Sequence, residues 1–121
     1  MTILNLTQHN ASLAQVAAGV VEPANKVLLQ ELLTFTELPD KDAVMRRANA
    51  ITNLCVNFEG HTGKVMIGGA PFLMGPLTAA LKAAGCEPVF AFSQRESVDQ
   101  ELEDGTVIKK SIFVHMGFVE A

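Results

Sequence analysis

Short apolar runs ending in glycine or polar clusters, amphipathic helical repeats between them, and an Asp-Gly pair between two extended runs predict an α/β protein. The expected architecture is a three-layer, Rossmann-like parallel sheet with a C-terminal antiparallel β-hairpin, because buried parallel strands need crossover helices. Neither a linker nor an internal repeat interrupts the 121 residues, so 1–121 is read as a single domain.

The first strand is Ile3-Leu4-Asn5-Leu6, running into the polar cluster Thr7-Gln8-His9-Asn10. Asn10 or Ser12 is placed to cap a short helix through Leu13, Val16 and Ala17, which Gly19 ends. Glu22-Pro23 opens a second helix with Val27, Leu28, Leu32 and Phe35 on its apolar side. Pro39 biases Leu38 away from helix, and Asp40 caps the third helix. That helix spans 41–58, with Val44, Ala48, Ile51, Cys55 and Phe58 in one stripe and Arg46 and Arg47 off it, on a solvated face or in contact with a partner or phosphate.

A glycine loop at 59–63 leads to the central strand Val65-Met66-Ile67, apolar on both faces as a covered parallel strand is. Gly68-Gly69 allow a sharp turn, and Pro71 suits the first position of a helix over 71–84. That helix packs through Leu73, Leu77, Leu81 and Ala84, kinks near Gly75-Pro76 and stops at Gly85. The strand Val89-Phe90-Ala91-Phe92 then stops at Ser93-Gln94-Arg95-Glu96. A hairpin comes next, with arms 98–103 and 106–115 around Asp104-Gly105. Ile108, Ile112 and Val114 share one of its faces, Phe113 and His115 the other, and 116–119 tucks against the core.

The apolar share of 49% is enough for a core, but with seven Phe and no Trp or Tyr the packing must be mainly aliphatic. A net charge of -4 argues against duplex nucleic acid as a partner, since phosphate neutralisation needs a basic excess. No apolar run is long enough to span a membrane, and the first residues lack a signal-peptide pattern, so a cytoplasmic location is expected. Cys55 and Cys86 read as two buried thiols, and no Cys/His spacing points to a metal.

Three polar clusters fall at the carboxyl ends of the three strands, the edge where open α/β sheets collect ligands. A small anionic ligand of nucleotide type is the expected partner. Gly68, Gly69 and Ala70 would offer backbone N–H groups at a helix start, and Arg95 would clamp an anion. Thr7, Gln8 and Ser93 would add polar contacts, with His9 the candidate general acid or base. Each also has a structural reading: a tight turn at Gly68-Gly69, a capping His9, an Arg95 paired with Glu96, a Ser93 that closes a strand end. A second hypothesis is an assembly protein that dimerises through the hairpin by edge addition. A third is a small ester hydrolase using Ser93 and a histidine.

The strand ending in Thr7-Gln8-His9, the turn Gly68-Gly69-Ala70-Pro71 and the strand ending in Ser93-Gln94-Arg95 resemble the small Rossmann-like, CARF-like proteins of CRISPR systems, the ring nucleases among them. The chain also resembles short uncharacterised bacterial and prophage proteins. The first resemblance implies a homodimer with the ligand across its two-fold, metal-independent phosphodiester chemistry on cyclic oligonucleotides, and no bound cofactor. The helical insert over 22–58 and the lack of lysine near the three turns depart from that pattern.

Overall fold

The computed structural model describes residues 2–57 and 63–121. The chain runs β1 (Ile3–Leu6), α1 (Leu13–Ala17), β2 (Val20–Val21), α2 (Lys26–Leu33), α3 (Lys41–Val56), β3 (Lys64–Ile67), α4 (Pro71–Ala83), β4 (Glu87–Glu101) and β5 (Val107–Glu120). One sheet holds the strands in the order β2-β1-β3-β4-β5, with β5 antiparallel to β4 and the other neighbours parallel.

Strand alternation divides the apolar residues between two faces. Leu4, Leu6, Val65 and Ile67 point into the main core, where α2, α3 and α4 bring Leu29, Leu33, Ala48, Ile51, Leu73, Leu77 and Leu81 against them. Ile3, Met66, Val89 and Val20 form a smaller cluster on the other face, covered in part by Ala11 and Phe118. Among the described helices, α1 stays out of the main core; it is five residues long with no buried side chain. Helical cover is therefore substantial on one face, because the segment between β1 and β2 is too short to supply an amphipathic stripe for the other.

The helix starts reflect local chemistry. Ser12 and Gln15 form a reciprocal capping box on α1. Asp40 accepts from Ala43 N–H at 2.7 Å to start α3. The α3 stripe Val44, Ala48, Ile51 and Cys55 is buried as expected. Phe58 and 59–62 lie outside the described residues. In α4, Leu73, Leu77 and Leu81 are buried, Ala84 is exposed, and the helix continues through Pro76.

Several expectations are corrected. β2 pairs with β1 beyond Gly19, a strand too short to read from two valines. α2 begins after the Asn25 cap rather than at Glu22-Pro23, and buries Leu29 and Leu33 while Val27 and Leu28 stay exposed. Arg47 is not simply solvated: its Nη1 donates to the carbonyls of Glu31, Leu32 and Thr34, closing the C-terminal end of α2. Its guanidinium also lies 4.6 Å from the centre of the Phe35 ring.

The largest correction concerns the C-terminal third. β4 does not stop at Phe92; paired with β5, it runs on to Glu101 through a register shift at Phe92/Ser93. The hairpin arms are thus 15 and 14 residues long, and from Phe92 outward β4 is exposed along its whole length. β3 reaches only as far as Val89, so the outer part is a two-stranded ribbon projecting past the sheet.

Candidate ligand site at the β1–β3 switch point

From β1 the chain goes out to β2 on one side and returns to β3 on the other. Strand order therefore reverses between β1 and β3, and a crevice opens beyond their carboxyl ends. A cavity of about 370 Å³ lies there, lined by Thr7, Gln8, His9, Asn10, Gly68 and Gly69, with Gln15 and β4 residues Phe90 and Ala91 completing its wall. This is at the small end of the usual range for small-molecule sites, about 300–1,000 Å³.

The loop after β1 is held by a polar network, anchored on one buried residue, that sequence reasoning missed. Asn5 is fully buried on the thinly covered face of the sheet. Its Nδ2 donates to His9 O at 2.7 Å and to both Glu22 carboxylate oxygens, and its Oδ1 accepts from the N–H and hydroxyl of Thr7. Glu22 also accepts from Ala11 N–H and pairs with Lys26 at 3.1 Å. Lys26 Nζ in turn donates to the carbonyls of Thr7 and His9. Burial would raise the Glu22 carboxyl, but Asn5, Ala11 N–H and Lys26 outweigh it and hold it below its ordinary value. An Asn inside an apolar strand was the available signal.

These bonds occupy the backbone carbonyls of the loop and leave the exposed His9 imidazole on the cavity wall. Gln8 is tied to α2, its Nε2 donating to Thr34 Oγ1 and its carbonyl accepting from Gln30. Opposite, Gly69 has φ +151°, a conformation side chains rarely adopt, and a Cβ there would approach Met74 and Leu33. A Cβ on Gly68 would meet Thr7 Cγ2 at 3.5 Å, so its absence keeps the crevice open between the two loops.

Five of the expected site residues, Thr7, Gln8, His9, Gly68 and Gly69, thus line one cavity. Ala70 takes the N-cap position of α4 with no side chain to close it, and packs against the main core. Ser93 and Arg95 do not join them. Ser93 faces His115 across the ribbon, and the Arg95 guanidinium lies 5.4 Å from the centre of the Phe113 ring. They are separated from the cavity because β4 continues outward instead of turning at Ser93.

Among the described residues, no three His, Cys, Asp or Glu side chains gather as a metal site would require. None of the described helices is long and apolar enough to cross a membrane. No curated protein and no solved structure matches the chain. Residues 1–119 match the family described as "Uncharacterized protein MJ1673 family", and the chain belongs to that family.

Proposed function

We propose that the cavity between the β1 and β3 loops binds a small anionic ligand of nucleotide type, on a reduced Rossmann-like sheet. The observation that carries this reading is the convergence of Thr7, Gln8, His9, Gly68 and Gly69 at the strand-order switch. The uncapped start of α4 comes directly after Gly69, where backbone N–H groups and the helix dipole favour negative charge. The Asn5–Glu22–Lys26 network fixes the opposite loop before any ligand arrives, which lowers the ordering cost of binding. His9 is the cavity residue suited to proton transfer, so metal-independent phosphodiester cleavage, as in the CARF-like ring nucleases, would act through it.

The test is thermal denaturation with mononucleotides, linear dinucleotides and cyclic oligonucleotides. A ligand of this class raises Tm in the wild type, and His9→Ala reduces the rise. No rise with any of them refutes binding. A full rise without turnover, equal in wild type and His9→Ala, refutes the role of His9.

A second reading, that the chain forms a homodimer through its ribbon, is favoured by the exposed apolar side chains there. Val107 and Phe113, on the same face of the ribbon, are 59% and 70% exposed. A lone two-stranded ribbon is at best marginally stable in water. Lys109 and Lys110 sit on edge strand β5, so pairing through a ribbon face fits better than edge addition. Light scattering decides: a dimer that Phe113→Glu dissociates supports the reading, and a monomeric wild type removes it.

A further inference from the structure

Cys55, in the last turns of α3, and Cys86, between α4 and β4, come from segments 31 residues apart, yet their Sγ atoms lie 3.1 Å from one another. Both are buried and neither is in a disulfide. They differ in surroundings. Cys55 is sealed within the main core. Cys86 lines a cavity of about 330 Å³ at the amino ends of β3 and β4, whose charged lining residues are Lys64, Lys82, Glu87 and Glu120. This cavity shares no lining residue with the switch-point crevice, which opens beyond the carboxyl end of β3.

We propose that Cys86 and Cys55 form a two-thiol exchange site, in which a small organic disulfide enters the cavity and reacts at Cys86, and Cys55 resolves the product. In the first step the Cys86 thiolate attacks one sulfur of the small disulfide. A Cys86–S–S–R bond forms, the original S–S bond breaks, and one RS⁻ leaves and takes up a proton. In the second step Cys55 attacks the Cys86 sulfur, and its proton passes to the departing RS⁻. The Cys55–Cys86 bond forms and the second RS⁻ departs. Two protein thiols are oxidised and one small disulfide is reduced to two thiols.

Access and burial set the order of attack. Cys55 does not line that cavity, and burial, reinforced by the hydrogen bond to Cys86, pushes its thiol well above the ordinary range. Cys86 is the sulfur a reagent can reach, in a cavity lined by two ammonium groups and two carboxylates. Closing the pair needs the sulfurs to approach from 3.1 Å to about 2.05 Å. The resulting link would join α3 to the turn between α4 and β4.

The experiment treats the full chain with oxidised glutathione and reads intact mass, with non-reducing peptide mapping of the wild type. The wild type is expected to lose the mass of two hydrogens, with a Cys55–Cys86 cross-linked peptide. Cys55→Ser is expected to stop at one glutathionyl adduct, and Cys86→Ser to remain unmodified. The oxidised wild type should melt roughly 5–15 °C higher, since the link constrains the unfolded chain. A wild type left with two free thiols, or an adduct on Cys55 in the Cys86→Ser chain, overturns the proposal. The peptide map decides even if a serine variant fails to fold.

Discussion

Asn5 Nδ2 donates to both carboxylate oxygens of Glu22, at 2.9 and 3.0 Å, joining a fully buried strand residue to the segment before α2. Because the same amide also holds Thr7 and the His9 carbonyl, the loop that walls the cavity depends on it. Asn5→Ala removes every one of these bonds; Glu22 and the His9 carbonyl keep Lys26, but the Thr7 N–H loses its acceptor and a buried void replaces the amide. The expected loss is about 2–4 kcal/mol of stability, measured by urea unfolding. A loss below about 0.5 kcal/mol would mean that water replaces the amide at little cost.

Glu22 also predicts a pH dependence. Its carboxyl is held below the ordinary 4.5 in the folded chain, so folding favours the charged form. The stability it contributes is present above the unfolded value and is lost as pH falls through the lower, folded value. The difference in unfolding free energy between wild type and Glu22→Gln should be constant above about pH 6 and shrink as pH falls below 4.5. A difference that grows on acidification contradicts the network.

The two glycines of the β3–α4 turn should respond differently to alanine. Gly69→Ala places a side chain at φ +151° and against Met74, and should cost about 1–2 kcal/mol. Gly68→Ala makes only ordinary contact with Thr7, so its stability should stay within about 0.5 kcal/mol of wild type. Its methyl group stands in the crevice, however, and should weaken ligand binding roughly tenfold, or about 1.4 kcal/mol. Calorimetric titration of both variants separates the two effects.

Gly75 lies exposed inside α4, without a positive φ, and beyond its own helix backbone and chain neighbours a Cβ there would meet nothing within 4 Å. Its neighbour is Pro76, whose Cδ crowds a Cβ on the preceding helical residue. Gly75→Ala should therefore leave stability within about 0.5 kcal/mol of wild type, the gain in helix propensity being offset by that contact. Chemical denaturation should show a midpoint close to that of the wild type at unchanged slope.

His115 Nδ1 is buried with no hydrogen-bond partner among the described residues, and its ring packs edge-on to Phe118 with centroids 4.9 Å apart. His115→Leu should be neutral or stabilising by up to about 1 kcal/mol, since it removes an unsatisfied polar atom. Destabilisation of the same size would show that water or a second copy of the chain satisfies that nitrogen.

The sequence was legible where one physical requirement dominated. Gly68-Gly69 before Pro71 specified a turn into a helix, and the Val44-Ala48-Ile51-Cys55 stripe specified the buried side of α3. Asp104-Gly105 marked the hairpin tip, where Gly105 has φ +84°. It was not legible where a tertiary pairing overrides local polarity. Ser93 to Glu96 looks like a strand end, yet β5 supplies partners that carry β4 onward. This separated Arg95 from the cavity. The two sulfurs that meet between α3 and β4 could not be paired by spacing, because only the packing of α4 on α3 brings them together. The Asn5 network was hidden for the same reason: Glu22, which holds it, reads locally as a helix start.

The ribbon also bears on how the molecule reaches its native state. β4 and β5 meet across a turn closed by Leu102 N–H to Thr106 O, so their pairing can zip outward from that tip after a short loop closure. β1 must instead locate β3 across all of α1, β2, α2 and α3, as the alignment of Ile3 with Lys64 requires. Contacts so distant in sequence close slowly. The assembly of the parallel core therefore sets the refolding rate, and the crevice between the β1 and β3 loops is completed only when that last long-range pairing locks.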